Sequence, residues 1–341
     1  MTVSSVLPTS RSISSQASKP THGHNVSSIS VGSVSKNAVV TLLQRLQIDI
    51  PSYTRDRALE RRAADNIRQW GPDLSALLKP YLPPAIVLTM TCYSHIADPE
   101  ARLRIVLFST LVIALDDPKI FDASGCRDFH RRLCCGQFHR AGELRGDVLA
   151  RLMEVLSGMW KSYPGFSAGT VFSAVLQFIN GCMLERMDGI CCRAVHPPDA
   201  LPFITYRRAM SGLADAFSYF IWTKAGSSDI ASYIQAIPDI SSFQNHANDI
   251  LSFYKEELAG ETGNYVSDRA KACGKTREET LQEIVDETVL LVARIRRGLG
   301  DGPVRDAWES FARGWLAFHV CSPRYRLREL INCEYVVIES L

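Results

Sequence analysis

From Ala38 to the end of the chain, apolar residues recur with the period of a helix and scarcely anywhere with the alternation of a strand. The clearest case is Leu281, Ile284, Val285, Val289, Val292 and Ile295, which fall on one face at 3.6 residues per turn. Thr276 and Glu279 stand in front of that run at the spacing of a capping box. Helical patterns also cover residues 54–79, 99–116, 143–161, 166–189, 199–224, 239–258 and 302–320. Breaks at Pro51, Gly71-Pro72, Pro83-Pro84, Pro164-Gly165, Pro197-Pro198 and Gly302-Pro303 separate them. With no internal repeat and no linker, the pattern predicts one all-α domain over residues 37–341, a helical bundle.

Residues 1–36 differ. They hold twelve serines and no acidic residue, too little apolar material to offset the entropy of ordering. The reading is a flexible Ser-rich N-terminal extension. An organelle transit peptide is the other reading, although such peptides are usually richer in Arg. The sequon Asn25-Val26-Ser27 in this segment is a chance match. The whole chain has 341 residues, 46% apolar, and a net charge of +2. It is long enough for a large core, and it has no basic field that would call for nucleic acid. Its ten cysteines contain no C-x-x-C pair, so a zinc ribbon is excluded. Most lie in apolar segments, Cys92, Cys182 and Cys321 among them, and read as reduced, buried thiols of a cytoplasmic protein. The richest apolar run, Ile105 to Leu115, is too short to span a bilayer, so no membrane insertion is expected.

Three clusters carry chemistry. Asn248, Ser252 and Glu256 are spaced i, i+4, i+8, which places amide oxygen, hydroxyl and carboxylate on one helix face over two turns. Such hard oxygen donors suit Mg²⁺, which keeps its other positions for water and phosphate. Lys255 lies near the same face, where it could meet a phosphate as a point charge. The same spacing is also compatible with a polar face turned to water. Asp116 and Asp117 end the apolar run at Ile105–Leu115. If that helix is buried, its carboxylates must meet solvent, a cation or a cavity. Arg207-Arg208 and Arg324-Tyr325-Arg326 offer bidentate cations and a phenol, suited to phosphate oxygens but common on surfaces too.

Together these segments resemble the class I terpene synthases, in particular the fungal trichodiene synthase-like sesquiterpene cyclases. NDILSFYKEE at 248–257 resembles their Asn-Ser-Glu metal motif, and LDDPK at 115–119 their aspartate-rich motif. HVCSPRYR at 319–326 resembles their Arg-Tyr diphosphate motif, and RRAMSGL at 207–213 their diphosphate-sensor segment. The resemblance spans roughly residues 38–330. It implies a single-domain helical bundle around a central cavity. It implies Asp116, Asn248, Ser252 and Glu256 as ligands of three Mg²⁺ ions. It implies Arg208, Lys255, Arg324 and Tyr325 as the diphosphate grip, with Asp117, Ser211 and Gly212 in support. One departure is that Ile120 stands where the aspartate-rich motif often has a third Asp. Asp122 follows two residues later and is not expected to coordinate.

The resemblance further implies Phe178, Trp315 and Phe318 as walls of an apolar pocket. Trp315 and Phe318 are three residues apart on one helix face, and Phe108, eight residues before Asp116, could line the same wall. Each is equally compatible with ordinary core packing. His319 could be a late base or hold a water, but a satisfied core histidine is the plainer reading. The implied activity is ionisation and cyclisation of farnesyl diphosphate. A chain-elongating prenyltransferase of the same fold should show two DDxxD-type motifs, which this chain lacks. A non-catalytic helical interaction protein would need no coherent ligand set. A homodimer is compatible with the sequence. Gly274-Lys275-Thr276 matches the end of a P-loop, but Arg269 stands at its first glycine position, and no strand precedes it.

Overall fold

The computed structural model describes residues 30–50, 54–138, 147–187, 199–226, 229–261, 263–336 and 338. Cys191-Cys192, Pro51, Pro197-Pro198 and the sequon lie outside them. Among the described residues all regular structure is helical, with no strand. The first half comprises α1 (Val31–Leu46), α2 (Arg57–Gln69), α3 (Pro72–Leu78), α4 (Leu82–Cys92), α5 (Pro99–Asp116), α6 (Pro118–Ala123) and α7 (Phe129–Cys134). The second comprises α8 (Val148–Ser162), α9 (Gly165–Glu185), α10 (Leu201–Ser211), α11 (Ala214–Tyr219), α12 (Ile237–Ala259), α13 (Tyr265–Cys273), α14 (Arg277–Leu299) and α15 (Pro303–Cys321).

Two expectations are corrected. The sequence predicts an N-terminal extension to residue 36, but α1 begins at Val31. The Ser30 hydroxyl accepts from the Ser33 amide as an N-cap, and Ser35 is buried among Ala38, Val39 and Leu42, so serine here caps and packs. The helical pattern expected over 199–224 breaks at Gly212-Leu213 into α10 and α11 and ends at Tyr219, whereas Pro83-Pro84 does separate helices, as the first turn of α4 after α3 has ended, where the missing amides are needed by no intrahelical bond.

α5 is apolar on nearly every side and is buried from Ala101 to Leu115, so it sits at the centre, packed against α2, α4 and α8. α15 lies on α4, and the two approach so closely that a Cβ on Gly314 would sit 2.0 Å from the Thr91 carbonyl oxygen. α12 packs against α1, α11 and α14. The capping box of α14 forms: the Thr276 hydroxyl accepts from the Glu279 amide, and the Glu279 carboxylate accepts from the Thr276 amide. Gly274, in the P-loop-like triplet, closes α13 in the left-handed conformation, and the triplet is a helix-to-helix turn. α9 is long and apolar enough to cross a membrane by length and composition, yet half of it is buried in the bundle, against α8, α10 and α11, as a core helix would be. The cysteines are free thiols among the described residues; Cys92, Cys126, Cys182 and Cys321 are buried, whereas Cys134 and Cys135 are exposed.

Candidate active site

α5 delivers Asp116 to its C-terminal end, where the carboxylate is exposed and makes no hydrogen bond or ion pair among the described residues. Two negative charges at a helix C-terminus oppose its dipole. Arg186, at the end of α9, offsets this: its guanidinium donates to the Asp116 carbonyl at 3.2 Å and stacks over Phe121 at 4.3 Å. Asp117 has a different task. It caps α6 by accepting from the Lys119 amide at 2.8 Å, and it accepts from the Tyr81 hydroxyl at 3.0 Å. Those bonds, the Lys119 amide first, hold its carboxyl below the usual range. Asp122 is exposed and paired with Arg127, away from Asp116's role.

α12 carries the second wall. Asn248 and Glu256 line a cleft of about 420 Å³ together with Glu185, Arg208, Ser211 and Asp249. Ser252 lies between them on the same face, buried, and its Oγ has no hydrogen-bond partner among the described residues. A buried hydroxyl left unpaired is costly, of the order of 1–3 kcal/mol, and is best explained by a ligand that the polypeptide does not supply. Lys255 Nζ stays close to the Glu256 carboxylate at 3.2 Å and to Glu261 at 3.6 Å.

Arg208 reaches into this wall from α10. Its Nε donates to Asp249 at 2.7 Å, and its terminal nitrogen donates to Asn248 Oδ1 at 3.0 Å and to the Asn245 carbonyl at 3.2 Å. Burial pushes the Asp249 carboxyl up to about 7, against the pull of Arg208. The adjacent Arg207 is instead tied to α13, donating to Asp268 at 2.6 Å and to the Gly263 carbonyl at 3.0 Å. The chain breaks between α10 and α11 at Gly212-Leu213. Leu213 takes the left-handed conformation (φ 49°), a strained state for a branched side chain. Gly212 has ordinary helical angles but no room: its Cβ would lie 2.3 Å from Asn245 Oδ1 and 2.8 Å from the Arg208 guanidinium. Ser211, one residue before, hydrogen-bonds Glu185, whose carboxyl is raised by its surroundings and by the charge of Asp116.

Tyr325 closes the arrangement. It is buried in the 3₁₀ turn after α15, with its ring 4.5 Å from His319 and 5.8 Å from Phe318. Burial pushes its hydroxyl up to about 12; the neighbouring Arg324 pulls it down, and Glu256 and Asp116 push it further up. Arg326, by contrast, is paired with Glu329 and turned outward.

From Tyr325 and Phe318 a chain of ring contacts runs through the core. Phe108 meets Phe220 at 5.0 Å and Phe217 at 6.0 Å, Phe217 meets Trp315 at 5.9 Å, and Trp315 meets Phe318 at 6.3 Å. Phe178 is buried on α9 outside this chain of ring contacts. The indole of Trp315 donates to the Gln244 carbonyl, which anchors α15 to α12. His319 is fully buried with both ring nitrogens engaged, by the Trp315 carbonyl at 2.7 Å and the Asn248 amide at 3.0 Å, so it has no nitrogen left for a water or a proton transfer. Burial pushes its imidazole down to about 4, aided by Arg324, Arg208 and Lys255.

The sequence reasoning missed Asp249, Glu185, Arg186 and Phe217. Asp249 stood inside a quoted motif but points off the face shared by Asn248, Ser252 and Glu256. Phe217 carried one signal, the aromatic density of Phe217, Tyr219, Phe220 and Trp222 directly after a helix break. Among the described residues no group of three His, Cys, Asp or Glu is assembled to hold an ion. The donor set here relies on an amide and a hydroxyl, which such a group does not include.

The family model for trichodiene synthase matches residues 78–336. The chain is 39% identical to a protein of Postia placenta named monoterpene synthase 25, over 95% of this chain and 93% of that one. It is 32% identical to alpha-cuprenene synthase of Coprinopsis cinerea, over 72% and 73%. Among solved structures, a linalool/nerolidol synthase from Streptomyces clavuligerus superposes with a TM-score of 0.58 at 16% identity, covering 80% of this chain and 99% of that one, which shows the shared fold.

Proposed function

The chain belongs to the trichodiene synthase family and is a terpene synthase, a lyase acting on a prenyl diphosphate, and from that premise we propose that it cyclises farnesyl diphosphate to a sesquiterpene. The observation that carries this reading is the cleft where Asn248 and Glu256 of α12 meet Arg208 of α10, with the Ser252 hydroxyl buried on the same helix face and unpaired among the described residues. Oxygen donors for metal ions and cations for the leaving group are what ionisation of an allylic diphosphate requires.

Members of this family generally use Mg²⁺, and the donors present fit it. Asn248, Ser252 and Glu256 would hold one ion and Asp116 two, with the orphaned Ser252 hydroxyl as the main structural argument. Bound there, Mg²⁺ supplies charge neutralisation for the departing diphosphate. The protein's own groups do the rest. Arg208, held by Asp249, presents a guanidinium to the diphosphate; Lys255 and Arg324 add charge, and the Tyr325 hydroxyl donates a hydrogen bond. Phe108, Phe217, Trp315 and Phe318 keep water from the carbocation and face it with π-electrons, each ring worth about 0.5–2 kcal/mol. Phe178 would extend that wall from α9.

A C10 substrate is the second reading, favoured by the name of the Postia placenta relative. The elongating prenyltransferase and the non-catalytic protein are not favoured by the family or its relatives. Gas chromatography of products from C10, C15 and C20 diphosphates with Mg²⁺ tests the proposal. A cyclic C15 product supports it, C10 products alone overturn the farnesyl assignment, and no released hydrocarbon or alcohol from any of them overturns the activity.

A further inference from the structure

We propose that His319 is a positioning residue that fixes the carboxamide of Asn248 so that its oxygen, and not its nitrogen, faces the cleft. The proposal rests on the reading of Asn248 as a metal ligand, and it accounts for a buried histidine that the chemistry does not otherwise use.

A carboxamide has two ends of similar shape, and only the oxygen can ligate a hard cation or accept a hydrogen bond. Around Asn248 the assignment is forced from both sides. A guanidinium can only donate, so the atom 3.0 Å from Arg208 must be Oδ1. The other end is then the NH₂ group, 3.0 Å from His319 Nε2, which must accept. A neutral imidazole that accepts at Nε2 carries its proton on Nδ1. Nδ1 lies 2.7 Å from the Trp315 carbonyl oxygen, which can only accept. The chain Arg208, Asn248, His319, Trp315 carbonyl therefore has one consistent direction, independent of how any hydrogen was placed. The far end is a main-chain carbonyl four residues back on the same helix, so α15 itself sets the tautomer.

Two holders of the amide serve different states. Arg208 also faces the cleft, and when it turns toward an anionic substrate its bond to Oδ1 is released. His319 faces away from the cleft, is fully buried, and keeps its bond to the NH₂ group in either state. It thus prevents the amide from flipping at the moment when its oxygen is needed. Partners that orient a ligand in this way typically change metal affinity by about 10–100-fold when removed.

The test uses the full chain, inorganic pyrophosphate as the probe and calorimetry with and without Mg²⁺. Asn248→Leu gives the reference for loss of the metal ligand. His319→Phe keeps ring size but removes the acceptor, and is expected to weaken Mg²⁺-dependent pyrophosphate binding about 10–100-fold. His319→Gln restores an acceptor and is expected to recover most of it. If Asn248→Leu binds as the unaltered protein does, the metal reading fails. If Asn248→Leu loses binding while His319→Phe retains it, the metal reading stands and the role of His319 is overturned; failure of His319→Gln to recover binding also overturns it. ¹⁵N NMR of the histidine-labelled, metal-free protein gives a measurement that needs no variant: a proton on Nδ1 and a bare Nε2 at His319 are expected. A proton on Nε2 overturns the proposal, and this measurement decides alone should His319→Phe not fold.

Discussion

Gly212→Ala tests the proposed role of Arg208 as diphosphate sensor without straining the backbone. Gly212 has φ −84° and ψ −12°, angles any residue adopts, so the backbone carries no strain on substitution. Restricting the unfolded chain returns about 0.4–1 kcal/mol, which partly offsets the cost of displacing neighbouring side chains. The cost falls on two side chains. The new methyl would lie 2.3 Å from Asn245 Oδ1 and 2.8 Å from the Arg208 guanidinium. Ordinary contact begins near 3.5 Å, so the amide must retreat about 1 Å and the guanidinium about half as far. The Arg208 bonds at 3.0 Å to Asn248 and 3.2 Å to the Asn245 carbonyl cannot survive a shift of that size in the wrong direction. A guanidinium displaced in this way forfeits one charge-assisted hydrogen bond to the diphosphate, worth about 1.5–3 kcal/mol, which at 1.4 kcal/mol per decade is a loss of roughly 10- to 100-fold. Steady-state kinetics with farnesyl diphosphate and Mg²⁺ should show kcat/KM reduced by that factor, while thermal unfolding stays within a few degrees of the unaltered protein. Undiminished kcat/KM would refute the assignment of Arg208 as the sensor held by this close approach. A collapse in Tm would show instead that Gly212 serves general packing.

Four further outcomes follow from the same structure. Ser252→Ala removes a buried hydroxyl with no partner, so the metal-free protein should unfold at the same or a higher temperature while Mg²⁺-dependent pyrophosphate binding falls; a clear loss of Tm would mean the hydroxyl is satisfied within the fold. Gly314→Ala forces a methyl onto the Thr91 carbonyl where α15 crosses α4, and should cost about 2–3 kcal/mol in urea unfolding; an unchanged midpoint would refute the close crossing. Phe217→Leu keeps the core filled but removes a ring between Phe108 and Trp315, and gas chromatography should show less cyclised products; an unchanged product spectrum takes Phe217 out of the pocket. Burial lowers the pKa of His95, opposed by its bond to the Ile221 carbonyl, so the unfolded chain takes up more protons than the folded one below its ordinary value near 6.5. Stability from neutral His95 is therefore complete above about pH 6.5 and declines on acidification; His95→Gln should flatten the fall of Tm below that pH, and identical profiles would refute the assignment.

The helices were legible because most of them are written twice, in periodicity and in their ends. α5 was expected over 99–116, and it runs from Pro99 to Asp116, because Asp98-Pro99 starts it and the aspartates stop an otherwise apolar run. α1 was not, because its first turn is serine-rich, and serine in a sequence cannot show whether it caps, packs or solvates. The donor set on α12 was legible for the same periodic reason: spacing of four fixes a face. What spacing cannot fix is which groups on neighbouring helices meet that face. Asp249 is one residue from Asn248 and was invisible as a partner of Arg208, since 41 residues separate them. The Arg207-Arg208 pair makes the point sharply. The two are identical in type, adjacent in sequence and both line the cleft, yet successive helical positions diverge by about 100°, so Arg207 is spent on Asp268 of α13 while Arg208 meets Asp249 and Asn248 of α12. A resemblance to a motif could choose between them; composition and period could not. The same holds for His319, whose burial alone fits any core histidine. Its meaning comes from the fixed polarity of its two neighbours, a carbonyl that only accepts and an amide whose other end meets a guanidinium. In an active site of this kind the individual donors can be read from the chain, but the directions of their hydrogen bonds belong to the packing of α10, α12 and α15.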